Sequence, residues 1–243
     1  MIVLKLGGSV VTRKDVPETV DEAALERAAA ALAGRTDLVV VHGGGSFGHH
    51  HADAHGVSQT RGTRDPAAVR AVHDAMATLN GAVVDALAAA DVPAVPVHPL
   101  SAASRDGGGR LSVPLEAVRR LHGEGFVPVV QADVVAHEGA GATVVSGDEL
   151  VVELAAGMDA DRVGLCSTVE GVYDESGAVI AEITSFAEVA DALGESAETD
   201  VTGGMAAKVR ALLDLDVPAS VFGPDALEAF LAGDRVGTTV RGE

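Results

Sequence analysis

Short runs of β-branched and other apolar residues alternate along this chain with longer segments in which apolar residues recur every three or four positions. The continuous runs predict strands buried on both faces, and the longer segments predict amphipathic helices. The predicted strands are Ile2–Leu6, Leu38–Val41, Pro93–Val97, Val127–Gln131, Val163–Cys166, Ala219–Phe222 and Thr238–Arg241. The predicted helices are Asp21–Leu32, Pro66–Ala89, Pro114–His122, Asp148–Ala156, Phe186–Leu193, Gly204–Leu213 and Pro224–Leu231. This alternation is typical of an α/β protein with a mainly parallel sheet that helices cover on both faces.

Glycine-rich segments follow the first two predicted strands, where open α/β sheets bind their ligands. The first is Lys5–Ser9 (KLGGS), and Lys14 follows a few residues further on. Paired glycines let the backbone approach an anion closely and present amide N–H groups to it. The segment is therefore either a site for an anion such as phosphate or a simple turn from strand to helix.

The second glycine segment, His42–His49 (HGGGSFGH), has two interpretations. Gly43, Gly45 and Gly48 match the GxGxxG pattern of dinucleotide-binding loops. However, the match falls in the second strand–loop unit, and a histidine follows its last glycine. The alternative is a phosphate cradle made of backbone N–H groups, with His49 donating a further hydrogen bond.

Two later motifs place charged side chains at helix starts. The segment Ser146–Glu149 has the spacing of a capping box, which predicts a helix N-terminus with Asp148 in its first turn. Asp148 either complements the helix dipole or orients nearby lysines. In Asp200–Lys208 (DVTGGMAAK), Gly204 and Lys208 lie four residues apart, on one face of the next helix. An ammonium group beside helix N-terminal amides suits phosphate binding.

The charge balance narrows the classes of function. The chain of 243 residues has 17 basic and 36 acidic side chains, a formal net charge of −19, and 47% hydrophobic residues. Such a charge repels nucleic acid and anionic membrane surfaces, and the acidic, lysine-poor composition resembles proteins of salt-loving organisms. Only three of the basic residues are lysines, and Lys5, Lys14 and Lys208 all lie in or beside glycine segments. We therefore expect these three lysines to have a specific task.

Other features of the sequence concern localisation and excluded enzyme classes. Cys166 is the single cysteine, so no disulfide can form within the chain and a reducing cytoplasm is expected. The sequence opens without the pattern of a secretory signal, and no apolar stretch is long enough to predict a membrane span. The GxxxxGK[ST] pattern of P-loop enzymes and the HRD and DFG motifs of protein kinases are absent from the sequence.

The order of these motifs along the chain resembles the amino acid kinase family. The resemblance spans essentially the whole sequence. It rests on KLGGSV near the start, a glycine triplet after the second strand, SGD before a mid-chain helix and DVTGGMAAKV late in the chain. Within the family, HGGGSFGH looks like the branch that phosphorylates isopentenyl phosphate to isopentenyl diphosphate, in archaeal isoprenoid synthesis by the mevalonate route. The resemblance implies an open three-layer α/β/α sandwich, an acceptor lobe at about 1–155, an ATP lobe at about 156–243, and a homodimer. It also implies ATP and Mg²⁺ as cofactors, with Mg²⁺ held mostly by nucleotide phosphates and no metal site made by the protein.

The resemblance further implies roles for residues that match the family motifs. Catalytic roles fall to Lys5, Lys14, His49 and Asp148, with Lys14 stabilising the transition state and Asp148 organising the lysines. ATP would contact Lys5, Gly7, Gly8, Ser9, Gly45, Ser167, Gly204 and Lys208. The acceptor would contact Gly44, Gly48, His49 and Gly147. Thr168 departs from the family pattern, which often has an acid at that position.

Two clusters have both a functional and a purely structural interpretation. The residues Val72, Met76, Leu79 and Val83 recur at helical spacing and form one stripe, which is either a chamber for a five-carbon chain or ordinary core. The cluster His49, His50, His51, Asp53 and His55 has the side chains of a metal site, but neighbouring histidines point in different directions and no HExxH spacing is present. We expect His49 to bind phosphate, and His50, His51 and His55 to be partly exposed loop residues.

Three alternatives to the isopentenyl phosphate hypothesis remain open. Another kinase of the same fold would act on fosfomycin, uridylate or an amino acid carboxylate, and fosfomycin kinases share much of the histidine motif. A non-catalytic nucleotide or anion sensor belongs to a different class, although binding alone tolerates the loss of lysines better than phosphoryl transfer does. The third alternative is an NAD-binding domain that uses the GxGxxG match.

Overall fold

A computed structural model describes residues 1–193 and 204–242 of the chain. The strands of these residues are β1 (Ile2–Leu6), β2 (Leu38–His42), β3 (Ala94–Val97), β4 (Ser104–Arg105), β5 (Leu111–Ser112), β6 (Val127–Gln131), β7 (Asp133–His137), β8 (Gly141–Val145), β9 (Arg162–Cys166), β10 (Glu182–Ile183), β11 (Ala219–Phe222) and β12 (Thr238–Val240). Eight of them form the main sheet, in the order β10-β12-β11-β9-β1-β2-β6-β3. All neighbours in this sheet are parallel except β11 and β12. The mainly parallel sheet predicted from the apolar runs is confirmed.

Helices cover both faces of the main sheet. In the described residues they are α1 (Gly8–Val11), α2 (Glu22–Ala31), α3 (Gly45–His55), α4 (Pro66–Ala89), α5 (Leu115–Gly123), α6 (Gly147–Gly157), α7 (Ala190–Leu193), α8 (Gly204–Leu213) and α9 (Leu227–Ala232). Apolar residues of α2, α3, α4 and α9 pack into one core, and those of α5, α6 and α8 pack into a second core. Along β1, Leu4 and Leu6 belong to the first core and Val3 to the second, as the alternation of side chains along a strand requires. The three-layer α/β/α sandwich is confirmed.

The register of the central strands brings three loops together. Lys5 of β1 lies opposite Val41 of β2 and Leu165 of β9, so these parallel strands end at the same edge of the sheet. The Gly7 amide donates to the Cys166 carbonyl oxygen at 2.8 Å. The glycine segments that follow β1 and β2 and the residues that follow β9 therefore meet at one edge, where open α/β sheets bind ligands.

A second sheet was missed by the sequence patterns. Its strands have the order β5-β4-β7-β8, and β4 and β5 are only two residues long. One residue, Ala132, separates the end of β6 from the start of β7, and β7 pairs with β8 in an antiparallel hairpin. The hairpin returns the chain to Ser146 and helix α6, so this small sheet determines where α6 begins.

Helix α3 corrects one expectation. The residues His50, His51 and His55 were expected in a loop, but Gly45–His55 is helical and ends at Gly56, which has a φ of 62°. Glycine, histidine and aspartate favour helices weakly, so the sequence gives little local signal. Phe47 and Ala52 are buried in this helix, and it packs against α4, so tertiary contacts stabilise it. No helix among the described residues is both long enough and apolar enough to cross a membrane.

Candidate functional site

A cavity of about 610 Å³ lies at the carboxyl ends of the central strands. Most residues that the sequence assigned to catalysis or binding line it: Lys5, Gly7, Gly8, Ser9, Lys14, Gly44, Gly45, Gly48, His49, Val72, Met76, Gly147, Asp148, Ser167 and Lys208. The fold thus brings together the first two glycine segments, Gly147 at the start of α6 and all three lysines from distant parts of the chain. Thr168, the departure from the family pattern, also lines the cavity.

Three assigned residues lie outside the cavity lining. Leu79 and Val83 are fully buried in the core, so only Val72 and Met76 of the apolar stripe face the cavity. Gly204 is the first residue of α8 and has a φ of 64°, in the left-handed region. The preceding part of its motif, residues 200–203, lies outside the described residues.

The first two glycine segments touch backbone to backbone. A Cβ atom at Gly8 would lie 2.1 Å from the Gly45 nitrogen, and a Cβ atom at Gly45 would lie 2.2 Å from Thr12 Oγ1. Thr12 Oγ1 donates to the Gly8 carbonyl oxygen at 2.7 Å and accepts from the Ser46 amide at 3.0 Å. One hydroxyl therefore links both loops. The sequence patterns pointed to the glycines, whereas Thr12 and Ser46 were missed.

Helix N-termini surround the cavity. Helices α1, α3 and α6 begin at Gly8, Gly45 and Gly147, and all three glycines line the cavity. The first turn of a helix has amide groups without intrahelical partners and carries a partial positive charge. Three such ends favour an anionic ligand locally, even though the chain has a net charge of −19.

Lys5 and Asp148 form an ion pair at the base of the cavity. Lys5 is 9% exposed, and its Nζ donates to Asp148 Oδ1 at 2.7 Å. Burial by itself would raise the pKa of the Asp148 carboxyl, but the charges of Lys5 and Lys208 hold that pKa below its usual value. Asp148 is therefore ionised at neutral pH. A Cβ atom at Gly147 would lie 3.1 Å from Lys5 Cε, so glycine at that position leaves room for the lysine side chain.

The histidine cluster divides between two environments on α3. His49 and His50 line the cavity, and His49 is half-buried. His51 lies outside the cavity lining, and its Nε2 is 2.9 Å from Glu18 Oε1. Within residues 1–193 and 204–242, no group of three His, Cys, Asp or Glu residues is arranged to hold a metal ion.

His42 supports the base of the second glycine segment. It ends β2 and is fully buried, and burial lowers the pKa of its ring below the usual value. The neutral ring has one donor and one acceptor nitrogen. Its Nδ1 lies 3.2 Å from the Gly43 carbonyl oxygen and its Nε2 lies 3.0 Å from Asn80 Oδ1 on α4, and the one N–H of the neutral ring donates to one of these two acceptors. Asn80 was missed because it interrupts the apolar stripe of α4 with a single polar residue.

A buried carboxylate is also part of the cavity wall. Asp133 has a fully buried side chain, and its Oδ2 lies 2.9 Å from His73 Nδ1 and accepts from Gln131 Nε2 at 3.1 Å. The hydrogen bond from His73 to Asp133 is the main reason that the pKa of the His73 ring is raised. No sequence motif marks this pair, whose members are 60 residues apart. Ala132 and Val144 complete an apolar section of the wall beside Val72 and Met76.

Cys166 does not offer a nucleophile. It is buried at the end of β9, and burial raises the pKa of its thiol to about 12. The thiol is therefore protonated at neutral pH, and the thiolate is the reactive form. Cys166 is therefore a small residue of the core.

Lysines, glycine loops and helix N-termini around one cavity of an α/β/α sandwich define a phosphotransferase class of enzyme. The model of the amino acid kinase family matches residues 1–215. The isopentenyl phosphate kinase of Haloferax volcanii is 63% identical, over 100% of this chain and 99% of that protein. The chain belongs to the amino acid kinase family.

Solved structures agree with this assignment. An X-ray structure of isopentenyl phosphate kinase has a TM-score of 0.78 and 31% identity, and the match covers 99% of this chain and 100% of the other. The isopentenyl phosphate kinase of Thermoplasma acidophilum, solved as a product complex, has a TM-score of 0.79 and 25% identity over 99% of this chain and 100% of the other. Both structures share the whole fold with this protein.

Proposed function

We propose that this protein transfers the γ-phosphoryl group of ATP to isopentenyl phosphate and releases isopentenyl diphosphate and ADP. The observation that carries the proposal is the composition of the single cavity described above. One part of its wall has three lysines, two glycine segments and Gly147, and another part has the apolar side chains of Val72, Met76, Ala132 and Val144. A ligand with a phosphate at one end and a short hydrocarbon chain at the other matches both parts.

The reaction requires positioning and charge stabilisation more than proton transfer. A phosphate monoester is anionic near neutral pH, so its oxygen can attack the γ-phosphorus without a general base. Negative charge then spreads over the equatorial oxygens of the transferring group, and fixed cations and N–H groups stabilise it. We assign that stabilisation to Lys5, which is bound to Asp148, and to Lys14.

The two substrates would occupy opposite ends of the cavity. On the ATP side we place Lys5, Gly7, Gly8, Ser9, Gly45, Ser167, Gly204 and Lys208. On the acceptor side we place Gly44, Gly48, His49 and Gly147, with Val72 and Met76 against the hydrocarbon chain. We propose an acceptor lobe at about 1–155 and an ATP lobe at about 156–243, with Lys5, Gly7, Gly8, Ser9 and Gly45 reaching ATP from the acceptor lobe. Leu79 and Val83 contribute by packing beneath the cavity wall.

Mg²⁺ would enter with the nucleotide. The ion commonly keeps several waters and binds through phosphates with one or two carboxylates. The cavity wall has three carboxylates: Asp148 is bound to Lys5, Asp133 accepts hydrogen bonds at both oxygens, and Asp53 is exposed on α3. This donor set fits an ion held mostly by ATP phosphates and water, and the ion would neutralise charge on those phosphates. We further propose that the enzyme works as a homodimer in the cytoplasm, where ATP is available and its one thiol stays reduced.

An acceptor panel tests this function. ADP release is measured with isopentenyl phosphate, fosfomycin, uridylate and N-acetylglutamate, and the product of the best acceptor is identified by phosphorus NMR. Isopentenyl phosphate should give the highest kcat/KM and a diphosphate product. A higher value for any other acceptor would refute the isoprenoid assignment, and no ADP release with any acceptor would favour a sensor. Asp148→Asn is the matched control, because it keeps the shape of the side chain but removes the charge that pairs with Lys5.

A further inference from the structure

A buried arginine of the small sheet contacts the start of helix α6. Arg105, on β4, has a side chain that is 6% exposed, and it is not among the residues that line the main cavity. Its Nη2 donates to Glu149 Oε1 at 2.7 Å and to the Val144 carbonyl oxygen at 3.2 Å, and its Nη1 donates to the Gly109 carbonyl oxygen at 3.3 Å. One guanidinium group therefore joins the β4–β5 turn, strand β8 and the first turn of α6.

Glu149 connects Arg105 to the N-terminal cap of α6, because it also binds Ser146. Its second oxygen, Oε2, accepts from the Ser146 amide at 2.9 Å, from Ser146 Oγ at 3.1 Å and from Gln59 Nε2 at 2.9 Å. Ser146 Oγ accepts in turn from the Glu149 amide at 3.2 Å, which completes a capping box. Both carboxylate oxygens are thus in use, so the orientation of the carboxylate is fixed from two sides.

The capped turn carries a proposed catalytic residue. Gly147 and Asp148 directly follow Ser146 as the first two residues of α6, and Asp148 binds Lys5 at 2.7 Å. We propose that Arg105 is a positioning residue for phosphoryl transfer, because through Glu149 it fixes the first turn of α6 and with it the Asp148–Lys5 pair. The assignment rests on the proposed kinase function.

The hydrogen bonds of Arg105 favour a positioning role over a packing role. Its Nε is buried and has no hydrogen-bond partner within the described part of the chain. A buried donor without a partner destabilises a fold, and an apolar side chain of similar length would fill the same space without that loss. What the apolar side chain lacks is the planar fork of donors that holds a carboxylate and two carbonyl oxygens at once.

Arg105→Met tests the proposal, and Arg110→Met is the matched control. Arg110 lies in the same β4–β5 turn, is exposed, and makes no side-chain hydrogen bond in the described residues. We expect Arg105→Met to lower kcat by about tenfold or more with little change in either KM, because a misplaced catalytic group weakens transition-state stabilisation. The control should keep the kcat of the unmodified protein. Glu149→Gln, which keeps an oxygen for Ser146 but loses the charge that binds Arg105, should also lower kcat.

A double-mutant cycle separates positioning from general loss of structure. If Arg105 acts through Asp148, adding Arg105→Met to Asp148→Asn should lower kcat far less than Arg105→Met does alone. If the two substitutions lower kcat by independent factors that multiply in the double variant, the proposal is wrong. It is also wrong if kcat is unchanged in both Arg105→Met and Glu149→Gln, or if both variants fail to fold. Hydrogen exchange of the α6 N-terminal amides, expected to speed up in Arg105→Met, is measured as well. If the unmodified protein is inactive on isopentenyl phosphate, the proposed function fails. Faster hydrogen exchange of the α6 amides in Arg105→Met would still support the role of Arg105 in fixing the first turn of α6, and unchanged exchange would reject that role.

Discussion

Replacing Gly8 with alanine tests the contact between the two glycine loops. The new Cβ atom would lie 2.1 Å from the Gly45 nitrogen and 2.6 Å from the Gly45 Cα. Unstrained heavy-atom contacts lie at about 3.5 Å or more, so the two backbones have to separate by more than about 1 Å. Gly8 does not have a positive φ, so alanine adds no conformational strain and the effect is steric.

The size of the effect follows from that displacement. A misplacement of about 1 Å at a reacting centre costs on the order of 100-fold in rate, and we expect kcat/KM to fall by about that factor. Overpacking of this kind also destabilises a fold by about 1–3 kcal/mol. The assay is therefore ADP release well below the thermal midpoint of the variant, with denaturant unfolding measured in parallel.

The same substitution at Gly81 is the control. Gly81 is exposed in the middle of α4, and a Cβ atom there would have no neighbour within 4 Å. Alanine should stabilise the helix by up to about 1 kcal/mol and leave the kinetics unchanged. If Gly8→Ala folds normally and keeps the kcat/KM of the unmodified protein, then catalysis does not depend on the contact between the loops and the reasoning is wrong.

Three further predictions concern charge. Lys14→Ala should lower kcat with little change in the affinity for ATP, whereas Lys208→Ala should raise the KM for ATP. If both variants weaken ATP binding equally and leave kcat unchanged, the role given to Lys14 is wrong. The unfolding midpoint should rise with KCl, because the Debye length falls from about 30 Å at 0.01 M to about 3 Å at 1 M and screens the −19 charge; a flat or falling midpoint contradicts this. The raised pKa of His73 means that its pair with Asp133 stabilises the fold fully below the unfolded-state pKa and loses that effect as pH rises through the folded-state pKa. The difference in unfolding free energy between the unmodified protein and His73→Gln should therefore shrink from pH 5.5 to pH 8.5, and a constant difference would contradict the assignment.

Local patterns predicted seven of the eight strands of the main sheet, because strand burial depends on continuous apolar runs, and they missed the two-residue strand β10. They also located Lys5, Lys14 and Lys208, since a composition that avoids lysine makes each remaining lysine conspicuous. The small sheet escaped prediction for a physical reason. Strands β4 and β5 are too short for a periodic signal, and they are stabilised by pairing with each other and by the pairing of β4 with β7.

Residues that act through distant partners also escaped prediction. Asp133 and His73 are separated by 60 residues, and Arg105 and Glu149 by 44, so neither pair forms a motif in the sequence. Their roles follow only from the fold, which places the half-buried His73 beside the buried Asp133 and the half-buried Glu149 beside the buried Arg105. Thr12 is similar, because nothing in the sequence marks the hydroxyl that links Gly8 to Ser46.

His49 is the residue that we expect to adapt the site to a phosphate acceptor. It is half-buried in the first half of α3, it lines the cavity, and its ring makes no hydrogen bond to the protein in the described residues. A charge-assisted hydrogen bond to a bound phosphate contributes about 1.5–3 kcal/mol. His49→Ala should therefore lower kcat/KM for isopentenyl phosphate on the order of 10- to 100-fold.

Substitutions on the same helix separate this role from packing. His49→Gln should retain more activity than His49→Ala, because glutamine can still donate a hydrogen bond to phosphate. His50→Ala is the control, since His50 is exposed at the cavity edge and its direction differs from that of His49. Steady-state kinetics with isopentenyl phosphate and with fosfomycin give the answer. If His49→Ala keeps the kcat/KM of the unmodified protein while His50→Ala loses it, the acceptor phosphate binds to a different part of the cavity wall. If fosfomycin is the better substrate of the unmodified protein, the cavity belongs to a kinase for another acceptor.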